Sequence, residues 1–181
     1  MSETRRNITI RQEQREDYPI VFKLIERTFK DMEMADHTEQ FLVQRLRNSP
    51  AFVPELSLLA ENGNEIVGHI LLTKILIKHR GEEHQSLALA PVTVDPGFQK
   101  QGIGKMLIEE AHQRAKDLGF KSVVLLGHAD YYPKFGYRKA SEFGIKLPFD
   151  VADEYCMAIE LTTNGLMGVQ GLVEYPKEFF E

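Results

Sequence analysis

The sequence predicts an α/β or α+β fold, a sheet with helices packed on it whose middle strands form an antiparallel meander. Two apolar strand-like runs meet at an Asn-Gly turn, helical-period segments alternate with strand-period ones, and their order is strand, two helices, three strands, helix, strand, short helix, strands. Asn7 to Arg11 alternates around Ile8 and Ile10, which predicts a first strand. Asp17 is placed as an N-cap, Pro19 falls in the first turn, and Tyr18, Val21, Phe22, Ile25 and Phe29 recur at helical spacing. Asp36 and Glu39 match a capping box ahead of Phe41, Leu42 and Leu46, and Asn48-Ser49-Pro50 ends that second helix. Leu56 to Ala60 and Glu65 to Ile77 flank Glu61-Asn62-Gly63-Asn64 and predict a hairpin. After the break at Gly81-Glu82-Glu83-His84, Leu87 to Val94 predicts a third meander strand, stopped by Asp95-Pro96-Gly97. Ile103, Met106, Leu107, Ala111, Ala115 and Leu118 define an amphipathic helix closed by Gly119. Lys121 to Leu126 predicts a strand, Asp130 to Phe135 a short helix before Gly136, and Phe143 to Ile145 and Glu154 to Leu161 the last strands around the breaker Pro148.

The chain has 181 residues, enough for one domain with its own core, and no repeat or linker divides it. One domain over 1–181 is expected, with a core of about 7–137 and a completing segment of about 138–181. Hydrophobic residues make up 43% and charged residues 27%, which excludes a disordered or fibrous class. Lysine plus arginine (22) against aspartate plus glutamate (27) gives a net charge of −5 without a basic run, which argues against nucleic acid as partner. The acidity suits solubility and equally a cationic substrate. The lone Cys156 excludes an internal disulfide and a multi-cysteine metal site, and its apolar setting fits a buried small hydrophobe. Met1-Ser2-Glu3-Thr4-Arg5-Arg6-Asn7 lacks the apolar stretch of a secretory signal. Ile70 to Ile77 is far shorter than a membrane helix, which needs about 20 residues. A cytoplasmic protein is expected, with neither a membrane nor nucleic acid as partner. The six histidines show no metal-ligand spacing, so no metal is expected.

The chemistry concentrates in Val94-Asp95-Pro96-Gly97-Phe98-Gln99-Lys100-Gln101-Gly102-Ile103-Gly104-Lys105, a glycine-containing strand-to-helix turn. The first N–H groups of a helix have no intrahelical partner and lie at the positive end of its dipole, so such a turn suits a phosphate. Gly102 and Gly104 allow close backbone approach. The spacing lacks the Walker register, and position 107 is leucine where the dinucleotide fingerprint needs glycine or alanine. ATP and NAD are thereby disfavoured; a plain structural turn stays open on these residues alone.

Gln99-Lys100-Gln101-Gly102-Ile103-Gly104 after Val92-Thr93-Val94-Asp95-Pro96 closely resembles the acetyl-coenzyme A loop of the GCN5-related N-acetyltransferases (GNAT). Tyr132-Pro133-Lys134-Phe135-Gly136-Tyr137 resembles that family's second signature, in the right order and separated by a helix and a strand. The longer run from Gly127-His128 to Tyr137, and the ending Gly171-Leu172-Val173-Glu174-Tyr175-Pro176, are similar to a bacterial branch of acetyltransferases whose acceptors are mostly unassigned. The likeness covers about Asn7 to Tyr137.

The resemblance implies a mixed, mainly antiparallel sheet in which Leu87 to Val94 and Lys121 to Gly127 splay apart around the pantetheine arm of acetyl-CoA. Backbone of Val92, Thr93 and Val94 would bind that arm, and Gln99, Lys100, Gln101, Gly102, Ile103 and Gly104 the pyrophosphate. Lys105 would add charge at the rim or stay a solvated helix side chain. The implied activity is transfer of acetyl from acetyl-CoA to a primary amine by direct attack in a ternary complex, with Tyr132 as cofactor contact and general acid to the departing thiolate. Packing beside coenzyme A is the alternative role for Tyr132. Some family members carry a glutamate on the strand Leu87 to Val94, which here has none, so Glu33, Asp36, His69, His128 or a water relay stand as candidates for the base. Structural roles for His69 in the sheet and His128 in a turn are the alternatives. Phe29, Met32 and Met34 could line an acceptor pocket or only pack. The missing carboxylate leaves a second reading, a non-catalytic acyl-CoA sensor or interaction module. Family members are often dimers, and a homodimer is compatible with this chain.

Overall fold

The computed structural model describes residues 7–33 and 35–181; Met34 and the N-terminal stretch read above for a leader, up to Arg6, lie outside them. The chain runs β1 (Ile8–Gln12), α1 (Tyr18–Phe29), α2 (Glu39–Leu46), β2 (Phe52–Asn62), β3 (Glu65–His79), β4 (Glu82–Val94), α3 (Ile103–Asp117), β5 (Ser122–Leu126), β6 (Arg138–Lys139), β7 (Ile145–Lys146), β8 (Cys156–Glu160) and β9 (Gly171–Glu174). The sheet order is β1-β2-β3-β4-β5-β8-β6, antiparallel except where β4 meets β5. β9 joins β3 antiparallel and β7 parallel. β2 pairs with β3 only as far as Phe52↔Thr73, and β9 takes the next stretch of the same β3 edge at Leu76, Ile77 and Lys78.

Strand alternation sends side chains to two different layers. On one face α3 lays Ile103, Leu107, Ile108, Ala111 and Ala115 against Leu58, Ile70, Leu72, Leu87, Leu89, Val123 and Leu125. The opposite face is shared. Val21, Leu24, Ile25, Val43 and Leu46 of α1 and α2 cover Leu59 and Leu71, while Ala140, Ile145, Leu147 and Tyr175 from the C-terminal part cover Ile75, Ile77, Ala88 and Val124. Phe179 packs against both clusters and bridges them.

Several expected boundaries shift for local reasons. Asp17 does not cap α1, because its carboxylate accepts from the Gln14 N–H and from both terminal nitrogens of Arg11. Asp36 makes no capping box with Glu39; its Oδ1 accepts from the Thr38 N–H and hydroxyl, and α2 starts after Thr38. The first hairpin turns on Gly63-Asn64, not Asn62-Gly63. Asn62 pairs with Glu65, and Gly63 at φ +63° takes the first central position, as a type II′ turn requires. The second turns on Arg80-Gly81, both at positive φ, so β3 runs on past Ile77 to His79 and β4 begins at Glu82, ahead of the apolar stretch from Leu87. Ala140–Phe143 is a 3-10 turn and only Ile145–Lys146 is strand; Asp153–Tyr155 is also a 3-10 turn, and β8 starts at Cys156. The two-residue β6 and the four-residue β9 are additions.

Candidate active site

β4 and β5 pair only at Leu87↔Val123 and Ala88↔Val124. Beyond those pairs β4 runs on through Val94 without β5, and among the described residues the backbone edges facing the gap have no strand partner there. A β-bulge between Leu89 and Val92 accompanies the departure, placing Pro91, which has no N–H, where the ladder is already interrupted. The sheet therefore opens as a wedge at the end where β4 feeds the glycine loop.

That loop is fixed at both ends. The Asp95 N–H donates to the Val67 carbonyl at 2.8 Å, its Oδ1 accepts from the Gly97 N–H at 2.9 Å, and its Oδ2 receives the guanidinium of Arg27 on α1. Arg27 and the Gly97 N–H hold the Asp95 carboxyl below its usual range against an opposing burial effect. Pro96–Phe98 makes one 3-10 turn, and the Gln99 side-chain amide donates to the Val94 carbonyl at 3.1 Å. Lys100 (φ +61°) and Gly102 (φ +84°) adopt left-handed backbone, turning the chain so that α3 begins at Ile103. The first N–H groups of α3 have no intrahelical acceptor, the kind of helix end that suits an anion. Lys105 is exposed, with Nζ 3.8 Å from Glu109, so it is a helix-surface side chain beside this end.

At Gly104 the need for glycine comes from a neighbour that loop spacing alone does not reveal. A Cβ there would lie 2.9 Å from the Tyr131 hydroxyl, so glycine lets that hydroxyl approach the start of α3. The signal was present in the doubled tyrosine, Tyr131-Tyr132. Tyr131 stacks edge-on against Tyr132 at 5.0 Å and Phe135 at 5.3 Å, and Lys134 Nζ lies 4.0 Å over its ring, favourable aromatic and cation–π geometries. Tyr132, 8% exposed, heads a 3-10 turn held by Tyr131 N–H and Tyr132 N–H bonds to the His128 carbonyl. Its ring rests on Gly127 so closely that a Cβ at that glycine would be 2.3 Å from it. Burial, aided by Tyr131, pushes the Tyr132 phenol well above its ordinary value, so it stays protonated at neutral pH. Behind it the buried Tyr137, edge-on at 5.7 Å, shares a 2.7 Å hydrogen bond with His112 Nε2 on α3.

The candidates for a base separate. Glu33, Asp36 and His128 are exposed; Asp36 is engaged with Thr38, and His128 serves the turn through its carbonyl. His69 is fully buried in β3, with Nε2 3.1 Å from Ser57 Oγ, which in turn bonds Glu13 Oε2 at 2.6 Å. Arg47 closes on the same carboxylate. Of the three candidates for an acceptor pocket, Phe29 packs on the α1–α2 cluster, Met32 is exposed, and Met34 lies outside the described residues. Cys156 is buried, and burial pushes its thiol up, away from the thiolate form. Among the described residues no group of histidine, cysteine or carboxylate side chains could hold a metal ion, and no helix is long and apolar enough to cross a membrane.

Burial pushes both His69 and His112 down from 6.5 to about 4. Between those values the unfolded chain binds protons that the folded chain refuses, so stability is full above pH 6.5 and is lost as pH falls toward 4. Each imidazole is expected to remove about 1–2 kcal/mol between pH 7 and pH 5. Urea midpoints should fall over that interval, and His112→Gln should flatten the slope; an unchanged slope would refute the assignment.

The Acetyltransferase (GNAT) family matches residues 10–137, from β1 to the buried Tyr137. The Uncharacterized N-acetyltransferase YjhQ of Escherichia coli is 33% identical over 136 residues, 74% of this chain and 75% of that protein. The Uncharacterized N-acetyltransferase YhbS of Escherichia coli is 26% identical over 163 residues, covering 90% of this chain and 93% of that protein. The crystal structure of YhbS in complex with CoA superimposes with a TM-score of 0.88 at 25% identity, over 100% of this chain and 96% of that one. A GNAT family acetyltransferase from Brucella melitensis in complex with acetyl-CoA gives 0.78 at 29% identity, over 96% and 99%. With a wedge between β4 and β5, a glycine loop opening α3 and a family match that spans both, the chain belongs to the GNAT family of N-acetyltransferases.

Proposed function

We propose that this protein transfers an acetyl group from acetyl-CoA to a primary amine by direct attack in a ternary complex. The observation that carries the reading is the wedge: pairing between β4 and β5 ends at Ala88 and Val124, leaving backbone to bind an extended pantetheine arm. Val92, Thr93 and Val94 line its β4 side, and Gln99 to Gly104, with Ile103 opening α3, receive the pyrophosphate while Lys105 adds charge at the rim. Two solved relatives described as complexes with CoA or acetyl-CoA support the same donor. Attack by the neutral amine gives a tetrahedral oxyanion, whose collapse expels the thiolate. Tyr132 supplies the proton: its phenol is protonated at neutral pH and stands next to Gly127 at the end of β5. An ordinary phenol near ~10 is already a weaker acid than a thiol near ~8.5, and burial raises Tyr132 further, so the donation requires bound donor and acceptor to stabilise the developing phenolate. One domain, without resident metal and located in the cytoplasm, belongs to the same reading.

Thermal unfolding with excess acetyl-CoA, CoA, ATP and NAD tests the donor. At about 100 times Kd a ligand stabilises the native state by about 2.7 kcal/mol, or roughly 5–11 °C at about 2–4 °C per kcal/mol for a chain of this size. A rise confined to the CoA ligands is expected. Equal shifts with ATP, or none with either CoA ligand, would remove the reading. Thiol release with an amine panel then separates an enzyme from an acyl-CoA sensor.

A further inference from the structure

The loop that leads into α3 opens on a carboxylate. Asp95 directly follows β4, and its Oδ1 accepts the Gly97 N–H at 2.9 Å, which caps the 3-10 turn Pro96–Phe98 ahead of Gln99 to Gly104. The turn therefore needs an oxygen at this position. A negative charge there, however, opposes the approach of a second anion to the loop, over a range at which salt screens incompletely. Among the described residues one cation is paired with Asp95: Arg27, in the last turn of α1, donates to Oδ2 through Nε at 2.9 Å and also through Nη2.

The two carboxylate oxygens thus have separate uses, one in shaping the turn and one in meeting the guanidinium. Val21, Leu24 and Ile25 anchor α1 in the cluster around Leu59 and Leu71, so Arg27 is delivered to the loop from a packed helix. Its place near the C-terminal end of α1 also suits a cation, because that end of the helix dipole is negative. The Arg27 and Asp95 side chains are 47% and 16% exposed, and an ion pair at the surface contributes little to stability. Holding the fold together is therefore a poor explanation for the pair. Further along, Lys100 and Lys105 are exposed, and Lys105 is shared with Glu109 at 3.8 Å.

We propose that Arg27 is a positioning residue for the acyl donor: by neutralising Asp95, it lets a loop whose first turn needs a carboxylate accept the diphosphate of acetyl-CoA. This rests on the acetyl-transfer reading. Arg27 acts through Asp95 and makes no contact with the cofactor. With the guanidinium in place, Asp95 caps its turn without presenting a net charge, and the incoming dianion meets N–H groups and lysines. Without it, the carboxylate keeps the Gly97 N–H but repels the diphosphate. Chemistry takes place at the far end of the pantetheine arm, so the loss falls on the affinity for the donor and spares the transfer step. The dependence is on charge, and this separates the role from that of a mechanical tie between α1 and the loop.

Calorimetric titration with CoA of the wild type, Arg27→Met, Asp95→Asn and the double variant tests the role. Asparagine keeps an Oδ1 for the Gly97 N–H and discards the charge. Arg27→Met is expected to raise the Kd for CoA about 10-fold, and by less at high salt. Asp95→Asn is expected to bind CoA at least as tightly as the wild type, and adding it to Arg27→Met is expected to recover most of the lost affinity. Arg27→Lys, which keeps the charge, is expected to stay near the wild type. Unliganded melting temperatures should hardly differ, since the pair is exposed. With the amine panel, Arg27→Met is expected to raise the KM for acetyl-CoA while kcat stays near the wild-type value. Wild-type affinity in Arg27→Met would overturn the proposal and leave acetyl transfer standing. Equal weakening in Arg27→Met, Asp95→Asn and the double variant would overturn it as well, because a broken mechanical tie behaves in that way. A wild type that binds no CoA would overturn the acetyl-transfer reading and the role of Arg27 together. One that binds CoA yet acetylates no amine would overturn the transfer reading alone, since the affinities decide on Arg27.

Discussion

Tyr132→Phe is expected to reduce kcat by about 10²–10⁴-fold, the range associated with a positioned general acid, while acetyl-CoA binding stays near the wild-type value. The substitution isolates the hydroxyl. Tyr132 is buried and packs against Tyr131, Phe135, Tyr137 and Gly127, and phenylalanine preserves those ring contacts. Among the described residues its hydroxyl takes part in no side-chain hydrogen bond, so removal leaves no buried group stranded and the melting temperature should hardly move. Transient kinetics sharpen the result, because a lost acid slows departure of the thiolate more than binding of either substrate. A variant with unchanged kcat and normal acetyl-CoA binding would reduce Tyr132 to a packing residue.

The largest loss of stability is expected from Arg47→Leu. The Glu13 and Arg47 side chains are 1% and 5% exposed, joined by their ion pair and tied through Ser57 to His69. Removing the guanidinium leaves a carboxylate in the interior with, among the described residues, one hydroxyl donor, which costs about 3–5 kcal/mol and corresponds to a fall of roughly 6–20 °C in Tm. The ring of Tyr18, with the Arg47 guanidinium carbon 3.8 Å from its centre, loses its cation at the same time. The double variant Glu13→Gln with Arg47→Leu should recover part of the loss, since both charges then leave together. Arg11→Leu is the comparison: its side chain is far more exposed in its pairs with Asp17 and Glu61, and its loss should cost clearly less. Calorimetry showing Arg47→Leu no worse than Arg11→Leu would contradict the interior placement of this pair.

The parts of the molecule that were legible in its sequence are those whose cause is local. Gln99 to Gly104 could be read because the same few residues must turn the chain, present N–H groups and begin a helix, and the structure runs them from the turn after Asp95 into the first residues of α3. Tyr132 stood out because its distance to Gly136 is short and fixed by one turn. Asp17 misled because an acidic residue before a helix has an obvious local use, yet Arg11 from β1 had already claimed it. The surroundings of His69 were hidden for the same reason on a larger scale: Glu13, Arg47, Ser57 and Thr93 come from four separate segments, and no spacing brings them together. β6 and β9 were missed because two and four residues carry too little periodicity to announce a strand.

The place of β9 on β3 also has a consequence for how the chain is made. Leu172 pairs with Lys78, a partner synthesised far earlier. At about 5–20 residues per second, the far end of β3 waits roughly 5–20 s on the ribosome before its covering strand is made. During that interval Leu76, Ile77 and Lys78 present bare amide and carbonyl groups, the kind of edge along which nascent chains adhere to one another. Lys78 itself is a guard at this edge, a charge held out toward solvent, and in the finished protein the same ammonium is clasped between Glu83 and Glu174, the latter arriving with β9. The residue that shields the growing chain thus becomes the rivet that fastens its last strand.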